Sequence, residues 1–134
     1  MFLINIDHVG IAVRDLDAAI GEYRRQYQVE PSRREVVESQ GVEEAMIPIG
    51  GSHVQLLTPL FEDSPVGKFL ATRGEGMHHL AYAVLDIDAA LIHLRAEGVR
   101  LIDQEPRIGG GGARIAFVHP KSLGGTLIEL VESL

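Results

Sequence analysis

His8 and His79 occupy the same place in two near-copies of one segment, the kind of arrangement from which a metal centre can be built. HVGIAVRDLDAAI starts at His8 and HLAYAVLDIDAAL at His79, an offset of 71 residues. Laid over each other without gaps, seven of thirteen positions are identical: His8/His79, Ala12/Ala83, Val13/Val84, Asp15/Asp86, Asp17/Asp88, Ala18/Ala89 and Ala19/Ala90. Two further polar residues keep nearly the same correspondence. Gln55 in HVQLLTPL and Glu129 in LIELVE stand 74 residues apart, in the last strand of each copy. Two imidazoles, an amide oxygen and a carboxylate form a nitrogen and oxygen donor set suited to a borderline or hard divalent ion with open positions. A lone strand histidine is ordinarily a surface or satisfied residue, so the weight rests on all four falling at repeat-related positions. Glu129 adds its own argument. Flanked by Leu127, Ile128, Leu130 and Val131, its carboxylate either faces solvent or is buried with a cation.

Other polar residues compete for roles. His53 has the strand parity of Gln55 and is an alternative ligand, although the repeat pairs it with Leu127. Glu43 and Glu44 sit in QGVEEAMIPI. If Ala45, Ile47 and Ile49 form the apolar face, Glu44 points into the cleft with Met46 and Pro48; equally, both glutamates are solvated edge charges. His78 points away from His79 and reads as structural, and His93 reads as a solvated helix residue. His119, in HPKS, either contacts a ligand or stabilises its turn.

These side chains need strands to align them. Residues 4–13 alternate at period two, with His8, Gly10 and Ala12 on one face and Val9, Ile11 and Val13 on the other. Asp15 is placed to cap a helix through about Tyr27, and strands follow at 33–38, 44–49 and 53–58. Gly50-Gly51 makes the turn between the last two. Ser64-Pro65 starts a short helix that ends near Gly74, inside a linker of about 61–74. The second copy repeats the order. It has a strand at 79–84, a helix capped by Asp86 and closed by Gly98, strands at 99–102, 113–119 and 127–132, and a flexible loop at 109–112. Two βαβββ units, about 1–60 and 75–134, imply one α+β domain of two curved half-sheets facing a cleft.

Bulk properties set limits. At 134 residues the chain suffices for one domain with a core and is too short for two independent ones. The absence of cysteine excludes disulfides and thiolate metal sites. A formal net charge of −7 without a basic cluster argues against nucleic acid. No apolar run approaches a membrane span, and Met1 to Asp7 does not read as a signal peptide. A cytoplasmic location is therefore expected.

The segments IDHVGIAV, QGVEEAM, HVQLLTPL, GMHHLAYAVLDIDAAL and GGGGARIAFVHPKSLGGTLIEL together resemble the vicinal oxygen chelate (glyoxalase-type) superfamily. Within it they resemble the methylmalonyl-CoA epimerase family, over almost the whole chain. The resemblance implies a half-barrel domain of that superfamily, metal ligands at His8, Gln55, His79 and Glu129, and acid/base carboxylates at Glu44 and Glu129. It also favours Glu44 over Glu43 and Gln55 over His53. The implied activity is metal-dependent interconversion of (2R)- and (2S)-methylmalonyl-CoA, by two-base proton transfer at C2 through a metal-stabilised enolate. The expected cofactor is a divalent ion, cobalt ahead of zinc, manganese or nickel. The expected partners are an acyl-CoA substrate and a second copy in a homodimer, with a place in propionate metabolism. Lys121, Arg114 and Arg107, near the glycine loop, are candidates for the CoA phosphates. The rival readings are a lactoylglutathione lyase, an extradiol dioxygenase, or a metal-free drug-binding module. Gln55 and Glu44 count against the first two, and an intact donor set against the third.

Overall fold

The two copies of the repeat fold alike because each carries the same helix cap. The computed structural model describes residues 2–133. After β1 (Leu3–Ala12) comes α1 (Leu16–Tyr27), and after β5 (Gly76–Val84) comes α3 (Ile87–Ala96). Asp15 accepts a hydrogen bond from the Ala18 amide, and Asp86 one from the Ala89 amide, each at 3.0 Å. Each thereby satisfies an N–H that the first turn leaves without a helical partner. The remaining elements are β2 (Arg33–Val37), β3 (Val42–Ile49), β4 (Ser52–Pro59), α2 (Pro65–Arg73), β6 (Arg107–Ile108), β7 (Arg114–Val118) and β8 (Ile128–Glu132). The class is α+β, as expected, with the order strand, helix, three strands occurring twice. Among the described residues no helix is long and apolar enough to cross a membrane.

The chain packs as two compact units, residues 8–78 and residues up to 7 together with those from 79 onward. In the unit 8–78 the strand order is β2-β3-β4-β1. β3 is antiparallel to both neighbours, and β1 is parallel to β4. The β3–β4 hairpin turns at Gly50-Gly51, where Gly50 has φ +60, a conformation that costs glycine little. One face of this sheet carries Ala45, Ile47 and Leu56, which pack with Val13 and with Leu16 and Ile20 of α1. Ile49, expected on the apolar face, lies half exposed beside the hairpin turn. On the other face, Ala12 and Leu57 pack with Val37, Val42 and the α2 residues Val66 and Leu70. α2 starts as the sequence predicts. Ser64 accepts from the Gly67 amide at 3.1 Å, and Pro65 opens the first turn.

In the unit containing 79–133 the order is β5-β8-β7-β6, with β5 parallel to β8 and β7 antiparallel to both neighbours. Ile87, Ala90 and Leu91 of α3 pack on Val84, Leu101, Ala116, Val118 and Leu130. The strand expected at 99–102 does not form. Only an isolated bridge joins Leu101 to Val118, and the two-residue β6 lies farther along. Asp103 accounts for the break. Its carboxylate takes the Phe117 amide at 2.8 Å, so a side chain replaces the backbone acceptor that a continued ladder needs. The segment 109–112, expected as a loop, holds a 3-10 turn at Gly110–Gly112.

Gly67 is fixed by space. A Cβ there would lie 2.7 Å from the carbonyl oxygen of Phe61 and closer still to that of Glu62. Gly67→Ala is therefore expected to lower unfolding free energy by about 1–3 kcal/mol, the usual cost of overpacking, read as a fall in the urea midpoint at unchanged slope. An unchanged midpoint would show that the Glu62 turn yields freely.

Candidate active site

Residues directly opposite each other on paired strands share a sheet face, so the register places each candidate. In the unit 8–78, Gly10 and Met46 both lie opposite Gln55, and His53 lies opposite His8. Side chains two residues apart also share a face. His8, Gly10, Glu44, Met46, His53 and Gln55 therefore point one way, away from α1. His8 is 4%, Gln55 5% and Glu44 1% exposed, while His53 is only half-buried. Gly10 presents no side chain opposite Gln55, which keeps the space above it open. The Gln55 carbonyl oxygen Oε1 is buried with no hydrogen-bond partner among the described residues. Such an oxygen costs free energy unless a donor or cation reaches it.

Glu44 and Glu43 part as their parity requires. Glu44 pairs with Arg33, Nη2 to Oε2 at 3.0 Å. Arg33 Nε lies 3.5 Å from Glu35, which is directly opposite Glu44 on β2. Glu43 faces the other way and pairs with Arg34 at 2.9 Å. Arg34 also grips Asp17 at 2.6 Å. These hydrogen bonds, first that of Glu43, raise the Arg34 guanidinium above its ordinary range, and the Arg34 bond holds Asp17 below its own.

In the other unit, Ala81 and Phe117 lie opposite Glu129, placing His79, Glu129, Ile115 and Phe117 on one face. His79 is 4% and Glu129 3% exposed, with Nε2 and Oε1 3.2 Å apart. The Phe117 ring stands edge-on to His79 with centroids 5.6 Å apart, and Ala81, Ile115, Phe117 and Val131 form the apolar wall. Geometry here repeats the sequence correspondence. Gln55 lies opposite Gly10 in one unit and Glu129 opposite Ala81 in the other, and Gly10 maps onto Ala81 by the same offset as His8 onto His79. Ile115 stands where Glu44 stands in the first unit, so the extra carboxylate has no counterpart.

The basic candidates separate. Arg114 is held by Asp88 through two nitrogens at 2.9 and 3.0 Å and by Glu132 at 3.4 Å, on the α3 face of its sheet and away from His79. Asp88 raises the Arg114 guanidinium, and Arg114 lowers the Asp88 carboxyl. Arg107 lies opposite Ile115 on the His79 face. Its guanidinium sits 5.7 Å above the Phe117 ring, with Nε 3.3 Å from Asp103. Lys121 lines a shallow cleft with Arg100, Ser122 and residues 97–99. His119 accepts from the Lys121 amide through Nδ1 at 3.0 Å, a turn-stabilising role. Desolvation, then the charges of Arg100 and Lys121, hold its imidazole below the ordinary value. His78 packs edge-on against Phe69, and exposed His93 against Phe2. Sequence reasoning missed Arg33 and Asp103. Neither carried a signal in the residue order, since Arg33 is one of several charges on its strand and the register places Arg107 at the position of Glu35.

Residues 7–117 match the family model of the Glyoxalase/Bleomycin resistance protein/Dioxygenase superfamily. Over 127 residues the chain is 39% identical to an ethylmalonyl-CoA/methylmalonyl-CoA epimerase of Cereibacter sphaeroides, covering 93% of this chain and 95% of that protein. A solved methylmalonyl-CoA epimerase in complex with methylmalonyl-CoA and NH4+ is 50% identical with a TM-score of 0.95, over 98% of this chain and 95% of that one. The crystal structure of the Mycobacterium tuberculosis methylmalonyl-CoA epimerase is 43% identical with a TM-score of 0.96, over 99% and 90%.

The partnerless oxygen of Gln55 separates a ligand from a structural amide. Gln55→Leu is expected to leave the thermal stability of the metal-free protein unchanged or raised, since an unsatisfied carbonyl is removed. It should weaken divalent-ion binding by about tenfold or more, measured by calorimetry. A destabilised apoprotein with unaltered ion affinity would make Gln55 a structural residue.

Proposed function

The chain belongs to the glyoxalase/bleomycin resistance protein/dioxygenase superfamily, and within it we propose that it is a methylmalonyl-CoA epimerase, acting as one domain. The observation that carries the reading is Glu44. It is a carboxylate 1% exposed, on the face that bears His8 and Gln55, and additional to the donor set. Inverting a carbon by proton transfer takes a base on each side of it, and a second carboxylate beyond the ligands meets that need. Near-full-length identity to epimerases, one of them solved with methylmalonyl-CoA, supports the substrate class.

We assign His8, Gln55, His79 and Glu129 as ligands of one divalent ion. The fit rests on the donor chemistry and on the buried Gln55 oxygen that no donor among the described residues reaches. When bound, such an ion supplies Lewis-acid stabilisation of the charge that builds on the substrate's carbonyl oxygens. Cobalt is our first choice, with zinc, manganese and nickel compatible with the same donors. The protein's own work is proton transfer. Glu44 takes or returns the C2 proton on one side and Glu129 on the other. C2 is planar between the two transfers, and which glutamate gives the proton back decides the product. The apolar wall around Glu129 excludes water that would compete for the proton. Lys121 and neighbouring Arg100 are our candidates for the CoA phosphates. Arg114 is not, because Asp88 and Glu132 already engage it. A homodimer in the cytoplasm completes the proposal.

Two measurements test it. Proton NMR of methylmalonyl-CoA in deuterium oxide should show enzyme-dependent loss of the C2 proton and convergence of both epimers. Chelation should stop both, and added divalent ion should restore them. Glu44→Ala should lower the epimerisation rate by about 10²–10⁴-fold, the range for a lost acid/base group, with ion content near that of the wild type. A wild-type rate in Glu44→Ala would remove the two-base assignment, and absence of exchange with ion present would remove the epimerase.

A further inference from the structure

We infer that Arg33 is a positioning residue for this proton transfer: it grips one carboxylate oxygen of Glu44 and leaves the other to meet the C2 proton. The inference rests on the epimerase reading and deepens it at one residue. Glu44 is almost wholly buried, and its carboxylate pairs through Oε2 with Arg33 Nη2 at 3.0 Å. A carboxylate rotates freely about its last torsion unless something holds it, and proton transfer requires a defined oxygen within about 3 Å of the proton's donor. One contact at one oxygen meets that requirement while leaving Oε1 available.

The surroundings show that Arg33 is itself held. It sits on β2, the edge strand of its sheet, diagonal to Glu44, with Met46 directly opposite. Glu35 faces Glu44 squarely across the β2–β3 pair and braces the guanidinium at Nε, 3.5 Å away. Two carboxylates directly opposite on neighbouring strands repel, and Arg33 lies between them, hydrogen-bonded to Glu44 and within ion-pair distance of Glu35. The internal repeat provides a comparison. In the second unit Ile115 stands where Glu44 would be, and Arg107 lies directly opposite it, at the register place of Glu35, with its guanidinium turned to Asp103 and the Phe117 ring. The arginine–glutamate pair is therefore confined to the unit whose carboxylate is assigned to chemistry. Stability alone is a poor reason to keep it, because the arginine is partly exposed, which screens the pair, while the carboxylate still bears the cost of its own burial.

The test compares Arg33→Met and Arg33→Lys with the wild type on each epimer separately. Arg33→Met should lower kcat in both directions by about 10–100-fold, the scale of a misplaced catalytic group, with KM within about twofold and bound ion unchanged. Arg33→Lys, which restores a single charged contact, should recover kcat to within about fivefold of the wild type. A kcat for Arg33→Met within twofold of the wild type overturns the inference. So does a loss that Arg33→Lys fails to relieve, or a KM that rises in step with the fall in kcat. Arg33→Gln replaces Arg33→Met, with the same expectations, if the latter does not fold. Wild-type protein inactive on both epimers would sink the epimerase reading by itself. The pair would then be judged by melting temperature. A drop on Arg33→Met that disappears in a Glu44→Leu background sustains the Arg33–Glu44 coupling, and equal drops in both backgrounds overturn it.

Discussion

A carboxylate or amide oxygen taken out of water must find a positive charge or a donor, and this protein buries several such groups on sheet faces with few to spare. Glu44 finds Arg33, and Glu129 finds His79. Gln55 keeps a buried oxygen that no donor among the described residues reaches. The rest of the architecture can be understood as arranging these groups and keeping water from them. The helices α1 and α3 cover one face of each sheet with Leu, Ile and Ala, which leaves the other face, beside the α2 packing in the first unit, to the polar residues. Small residues, Gly10 and Ala81, stand opposite Gln55 and Glu129 and leave space above them. An unsatisfied oxygen on an otherwise well-packed face is expensive to maintain as structure.

The internal repeat explains both the likeness of the two units and their division of labour. Each folds by one programme: an alternating strand, an aspartate cap, a helix, then strands that bring the last polar residue beside the first. At the ligand-type positions the copies agree in geometry as well as in sequence. They differ where one carries Glu44 with Arg33 and the other carries Ile115 with Arg107 turned to Asp103. The two copies carry matching polar residues, and they differ at a neighbouring position, where only the first has a further buried carboxylate. A reaction that must treat two sides of one carbon is suited to such near-symmetry.

Some ion pairs that look alike in sequence have unlike meanings. Arg114 and Arg34 are bound at the surface by aspartates and glutamates on the helix side of their sheets, where solvent screening leaves little net energy. Arg33 reaches a nearly buried partner on the opposite side. Parity along the strand distinguishes them, because moving one residue reverses the face.

Much of this was legible in the sequence. The repeat marked His8, Gln55, His79 and Glu129, and the aspartate caps and Ser64-Pro65 marked the helix starts. Alternation at period two assigned Glu44 and Glu43 to opposite faces. These features are local or periodic, so they leave a trace in residue order. The tertiary structure alone decided the rest. Asp103 stops a ladder expected at 99–102 by taking the Phe117 amide. Asp88 and Glu132 hold Arg114 on the α3 side of its sheet. Arg33, unremarkable among the charges of its strand, becomes the partner of the buried Glu44. Each is a side-chain contact with a residue distant in the chain or diagonal across a sheet. Sequence periodicity specifies which face a residue occupies, but which partner it meets there depends on strand register and side-chain reach, and these are set only when the strands pair.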